Sequence, residues 1–242
     1  MVNFLSKEQY GFEDLVHITK ILRSEDGCPW DREQTHKSIR MNFVEETFEA
    51  CEAIDNDDPV LLLEELGDVM AQVVFHAQIE SEEGRFDIND VADGVCKKFI
   101  HRHPHVFGEV LAETSEEVLK NWDEIKRSEK KQKTHFSAMD SVARSLPSLM
   151  RAEKLQSKAK KAGLPQKSIF DISERISKEL SKKEEMDIGK ILFDVVALSR
   201  TIGKNPEQEL DCRNEAFLQN FKELEEKNEE LSLLLSRNAD KL

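Results

Sequence analysis

Four carboxylates are spaced so that they could share one cation. Glu46 and Glu49 lie one helical turn apart in Glu45-Glu46-x-x-Glu49, and Glu65 and Asp68 do so in Glu65-Leu66-Gly67-Asp68. At about 100° per residue, Glu65, Asp68, Gln72 and His76 fall in one narrow stripe. Leu62, Leu63, Leu66, Val69, Met70, Val73, Val74, Phe75, Ala77 and Ile79 wrap most of the same helix, which predicts a buried element. Ionised carboxylates in such a helix are costly unless paired or bound to metal. All-oxygen ligation without a nearby thiol suits Mg²⁺, with Mn²⁺ as the alternative, above zinc or copper. Glu45 and Glu52 read as a solvated acidic face. A di-iron carboxylate bundle needs two Glu-x-x-His motifs, and Glu33-x-x-His36 alone has that spacing. His101, His103 and His105 straddle Pro104 at a helix end, so they read as a turn with surface histidines.

Local signals place the helices that must carry these groups. One helix is expected over 41–54 and another from Pro59 to about Glu82, with Asp58 as its N-cap. The short, Asp-rich turn between them makes the pair antiparallel neighbours, so their acids can face each other. Ser6-x-x-Gln9 reads as a capping box opening an earlier helix that reaches Leu22 and breaks at Asp26-Gly27-Cys28-Pro29-Trp30. Trp30 reads either as a core anchor or as a surface on which an aromatic base stacks. A further helix is expected over 88–101, and Thr114-x-x-Glu117 caps one carrying Trp122. The Lys-rich stretch 127–134 reads as a linker or solvated helix end.

Composition points the same way. Charged residues make up 35% of the 242, against roughly 25% in an average domain, while Gly and Pro number only 9 and 6. That predicts a mostly helical soluble protein, not a sandwich or barrel. The net charge of −14 argues against a nucleic-acid partner. No glycine-rich phosphate loop occurs, no window is apolar enough for a membrane span, and no signal-peptide core opens the chain. Cys28, Cys51, Cys96 and Cys212 form no C-x-x-C pair, which fits a reducing cytoplasm.

The chain also repeats itself. Residues 65–74 align with 187–196, Gly67 meeting Gly189 and Val73 meeting Val195 at the same offset of 122. Two tandem helical-bundle modules, 1–130 and 131–242, are expected. The second is chemically poorer: Asp68 becomes Lys190, Lys98 becomes Ala216 and Arg102 becomes Asn220, while both tryptophans lie in the first. Lys190 puts an ammonium where a metal needs an anion, so the second module reads as degenerate, kept for packing or dimerisation.

The ordered set Gly27-Cys28-Pro29-Trp30-Asp31-x-x-Gln34-Thr35, Glu45-Glu46-x-x-Glu49, Glu65-Leu66-Gly67-Asp68, Glu83-Gly84-Arg85-Phe86 and Arg102-His103-Pro104-His105-Val106-Phe107 resembles the MazG family of nucleoside triphosphate pyrophosphohydrolases. The resemblance covers nearly all of 10–130 and is looser beyond. It implies an all-α fold, Mg²⁺ dependence, a homodimer or higher assembly, and hydrolysis of an NTP to its NMP and diphosphate. By position, Glu46, Glu49, Glu65 and Asp68 match the family's metal ligands. Asn42, Lys98, Arg102 and Trp122 match positions that contact nucleotide, although Asn42 departs from the basic residue found there in some members. On this reading Glu45 or Glu49 is the base for an attacking water, and Lys98 and Arg102 neutralise phosphate oxygens. Trp122 or Trp30 stacks on the base. Without the resemblance, Lys98 and Arg102 read equally as surface cations at a helix end. The alternative function is a catalytically weak, nucleotide-binding regulatory protein.

Overall fold

The computed structural model describes residues 4, 6–112, 114–118, 121–122, 125 and 134–227. The expected linker 127–134 lies outside them except for Thr134. Among the described residues the chain is helical and has no strand. It divides into two compact units, Met1–Lys126 and Arg127–Leu242.

The first unit is built on α1 (Phe12–Leu22), α2 (Pro29–Glu33), α3 (Arg40–Asp55), α4 (Pro59–Glu82), α5 (Ile88–Arg102) and α6 (Pro104–Phe107). Residues 115–118 are helical beyond it, with Thr114 Oγ1 accepting from the Glu117 N–H at 3.3 Å. The central pair is α3 and α4, reversed within three residues. Asp57 takes a left-handed φ of 52°, and the Asp58 N–H closes the turn on the Ala53 carbonyl at 3.0 Å. Asp58 Oδ1 then accepts from Val60 and Leu61 N–H groups at 3.0 Å each, and Pro59 fills the position where no donor is needed. Ala50 and Ala53 are buried on α3 with Val74, Ala77 and Ile79 on α4. Their small side chains let the two backbones approach.

Three expectations give way. The first helix begins after Gly11, not at Ser6, because the Gly11 N–H finds Asp14 Oδ2 at 2.9 Å. The expected break at 26–30 contains a helical turn of its own, started by Pro29. Gly27 is needed just before it, since a Cβ there would lie 2.2 Å from the Ile21 carbonyl oxygen. Third, α4 is not buried all round. Leu63 is 77% exposed, and Val60, Leu66 and Met70 are exposed as well. Arg23 ties α1 to the far end of α4. It meets Glu82 through two bonds of 2.8 and 2.7 Å, donates to the Asp31 and Gln34 carbonyls of the α2 turn, and lies over Phe75.

The second unit contains α7 (His135–Asp140), α8 (Ser148–Lys161), α9 (Ile169–Leu180), α10 (Ile188–Thr201) and α11 (Pro206–Lys227). Ser168 caps α9 with Asp171 in a reciprocal box, and Asp187 Oδ1 caps α10 by accepting from the Lys190 N–H at 2.9 Å. Val142, Ile172 and Val196 are its buried apolar residues. Helix α10 packs between α8 and α9, and α11 against α8 and α10.

Candidate metal centre and the adjoining pocket

On α3, Glu46 and Glu49 occupy the same side as Ala50 and Ala53, the residues pressed against α4. On α4, Glu65 is only 8% exposed. One carboxylate oxygen from each of Glu46, Glu49 and Glu65 lies within 4.8 Å of the others. Asp68 and Glu45, both exposed, stand outside this group of three. Asp68 is nonetheless close enough for its charge to act on both Glu46 and Glu65.

Electrostatics shows what this cluster lacks. Burial pushes Glu46 above the ordinary carboxylate range, and the charges of Asp68, Glu49 and Glu65 push it further. Burial likewise raises Glu65, followed by the charges of Glu49, Glu64 and Asp68. Like-charged carboxylates sharing a partly desolvated site favour protonation unless a cation neutralises them. The donors are all hard oxygens, which fits a divalent cation of the Mg²⁺ or Mn²⁺ kind.

The helical stripe continues past Asp68. The Gln72 side-chain oxygen is buried without a hydrogen-bond partner, and His76 meets His36. The two imidazoles stack with centroids 5.0 Å apart and their Nδ1 atoms at 2.7 Å, so one donates and the other accepts. Burial, then the neighbouring His36, lowers the His76 pKa and favours its neutral form. His36 Nε2 lies 2.6 Å from Glu80. Bonds from Arg85, then His36, hold Glu80 down at about 2. His36 and His76 border a pocket of about 430 Å³ open to solvent. Arg40 and Phe43 of α3, Val73 and Ala77 of α4, and Phe86 and Val91 beyond it complete the lining. Sequence reasoning saw His36 only in a Glu-x-x-His spacing. His76 was legible as a member of the stripe, but its partner, 40 residues away, carried no local signal.

The remaining candidate residues are spread over other elements. Asn42 is exposed on α3, one turn before Glu46. Lys98 is exposed on α5, where every residue from 89 to 101 is exposed. Arg102, half-buried at the end of α5, places its guanidinium 5.4 Å from the Trp122 ring centroid. Trp30 is 60% exposed on α2, which overturns the reading of it as a core anchor. His103 and His105 are half-buried with their rings 5.6 Å apart, so they are not the surface histidines expected. His105 Nδ1 is buried without a partner.

A family model described as the MazG nucleotide pyrophosphohydrolase domain matches residues 34–107. That span contains Glu46, Glu49, Glu65, Asp68 and the pocket. The nucleoside triphosphate pyrophosphohydrolase of Escherichia coli K12 is 40% identical over 225 residues, covering 87% of this chain and 86% of its own. A Thermotoga maritima protein named nucleoside triphosphate pyrophosphohydrolase/pyrophosphatase MazG is 39% identical over 232 residues, covering 93% and 89%. A Mycolicibacterium smegmatis nucleoside triphosphate pyrophosphohydrolase is 42% identical over 155 residues, 63% of this chain and 47% of its own.

Proposed function

Because the chain belongs to the MazG nucleotide pyrophosphohydrolase family, we propose that its first unit cleaves a nucleoside triphosphate to the monophosphate and diphosphate at a Mg²⁺ centre held by Glu46, Glu49, Glu65 and Asp68. The chain is a nucleoside triphosphate pyrophosphohydrolase. The observation that carries the metal reading is the meeting of Glu46, Glu49 and Glu65, with two of the three raised by burial and mutual repulsion. Bound there, Mg²⁺, or Mn²⁺ in its place, would polarise phosphorus and offset charge on the phosphate oxygens.

The protein groups divide the remaining work. Glu49 is both exposed and a member of the cluster, so it can orient a water toward phosphorus and accept its proton. Glu45, exposed on α3 beside Glu46, is the second candidate base. Lys98 and Arg102, one turn apart, would balance the oxygens that gain charge as diphosphate leaves. Asn42 lies next to the acids on α3, and the indoles of Trp122 and Trp30 offer stacking faces. Release of diphosphate from a panel of NTPs and dNTPs, with and without Mg²⁺, tests the reading. Failure of every nucleotide at micromolar enzyme would leave a nucleotide-binding regulatory protein instead.

The pocket next along the α3–α4 pair is suited to the nucleoside end of the substrate. Phe43 is one turn from Glu46, and His76 is two turns from Asp68, about 12 Å at 1.5 Å per residue. Phe43, Phe86 and the stacked imidazoles supply apolar and aromatic walls, and Arg40 a cation. Phe43→Ala is expected to raise KM for NTPs roughly tenfold, the size of one lost stacking contact. Hydrolysis of inorganic tripolyphosphate, which has no base, should change less than twofold. Equal effects on both substrates would show that the pocket does not hold the nucleoside.

The metal reading also sets a pH dependence. A carboxylate raised in the folded state contributes stability while protonated and loses it as pH rises through its folded pKa. Without metal, Glu46 and Glu65 should therefore destabilise the chain as pH climbs above about 4.5. Metal reverses this by binding the ionised forms. The thermal midpoint in Mg²⁺ minus that in EDTA should be near zero at pH 4.5 and grow toward neutrality. Other titrating groups, His76 included, cancel in the difference. A difference that is flat with pH would remove the metal from this cluster.

A homodimer would cover apolar residues that one chain leaves exposed. Val60, Leu63, Leu66 and Met70 on α4, with Val95 and Phe99 on α5, are exposed in one chain. A second copy covers such a surface symmetrically. No described helix is long and apolar enough to cross a membrane. The four cysteines are free, in keeping with a cytoplasmic enzyme. The second unit is a degenerate counterpart of the first.

A further inference from the structure

Helices α9 and α10 repeat the arrangement of α3 and α4 with the charges redistributed. In both units a helix carrying acids is followed by a connection, three residues after α3 and seven after α9, and the next helix brings a second set. The offset of 122 sets Asp187 at the place of Glu65, Lys190 at that of Asp68 and Asp194 at that of Gln72. Glu179, in the last turn of α9, is 3% exposed. Its carboxylate accepts from Lys190 Nζ at 2.9 Å, from Lys182 Nζ at 2.8 and 2.9 Å, and from the Asp187 N–H at 3.1 Å. Asp194, also 3% exposed, is paired with Arg175 at 2.7 Å. Every buried acid between these two helices thus has a resident basic partner.

We propose that the ammonium groups of Lys190 and Lys182 are built-in counter-cations standing where the first unit takes a divalent ion, so that the chain loads metal at one centre and not two. The charge count carries this. In the first unit Glu46, Glu49, Glu65 and Asp68 bring four negative charges together. In the second, Glu179 and Asp187 are balanced by Lys182 and Lys190. A divalent ion entering there would meet two ammoniums at contact distance from the carboxylate it needs, and a protonated amine has no lone pair to ligate it. The bonds from Lys182 and Lys190 hold Glu179 ionised, down at about 2. Glu179 is not a surface carboxylate of negligible worth, because removing either lysine would leave a buried charge only partly compensated. The second unit therefore keeps its helix pair closed without metal, and its loss of chemistry follows from that closure.

The inference rests on the proposed metal centre for its comparison with the first unit, while the ion-pair lock stands separately. Hydrogen exchange read by mass spectrometry on the full chain tests both. In the wild type, added Mn²⁺ should slow exchange in peptides spanning 41–75 and leave 169–201 unchanged. Lys190→Met should speed exchange over 169–201 roughly tenfold or more in EDTA and in Mn²⁺ alike. Lys190→Arg, which keeps the cation, should stay within about threefold of the wild type and separates loss of charge from loss of fit. Slowing of 169–201 by Mn²⁺ in the wild type, or normal exchange in Lys190→Met, would overturn the proposal. Absence of a Mn²⁺ response in 41–75 alone would instead sink the metal centre of the first unit, and leave the lock intact.

Discussion

Glu65→Gln is expected to abolish Mg²⁺-dependent diphosphate release, lowering kcat/KM on the order of 10³-fold, the scale on which a misplaced metal ion costs transition-state stabilisation. The carboxamide keeps the shape of the side chain and removes the charge. Glu65 sits at the buried side of the cluster, so no neighbouring water replaces the lost ligand as it would for an exposed acid. Because neutralising one of several crowded carboxylates relieves repulsion, the variant should be at least as stable as the wild type in EDTA. It should also lose the stabilisation that Mg²⁺ confers. Asp187→Asn is the matched control at the corresponding position of the second unit. Asp187 caps α10, Asn caps helices nearly as well, and activity should stay within about twofold. Steady-state kinetics and thermal melts with and without Mg²⁺ check the pair. Equal losses from both substitutions would assign catalysis to both units and contradict the single centre.

The second large effect concerns assembly. Leu63→Glu should convert a homodimer into monomers at micromolar concentration. Burying a leucine side chain is worth about 1.5–3 kcal/mol. A twofold interface counts the substitution twice, giving about 3–6 kcal/mol, or roughly 10²- to 10⁴-fold in Kd before the cost of the introduced charge is added. Leu63 is the residue of choice because it is 77% exposed within one chain, so that chain's own core does not depend on it. Sedimentation equilibrium gives the dissociation constant, and helicity by circular dichroism verifies the fold. An unchanged constant would place the interface elsewhere, and a monomeric wild type would remove the homodimer altogether.

What could be read directly from the residues was local or periodic. Asp58-Pro59 starts α4 because a side-chain acceptor and a missing N–H act within one turn, and Glu46, Glu49, Glu65 and Asp68 share helix sides because 3.6 residues make a turn. The offset repeat and the family resemblance were legible on the same terms, as order and spacing. Tertiary structure decided what each side meets. An apolar helix such as α4 has no mark that separates its core side from its exposed side, so the exposure of Leu63 and Leu66 emerged only once α3 and α1 had taken their share of its circumference. The same holds for charge. Lys190 in the sequence is merely the wrong sign for a metal ligand, and whether it is solvated or locked to a buried acid depends on the fold bringing Glu179 of the preceding helix to 2.9 Å from it. His36 and His76 are joined across 40 residues in the same way. Periodicity acts within one helix, whereas burial and counter-charges are properties of pairs of helices, and those exist only after the chain has packed.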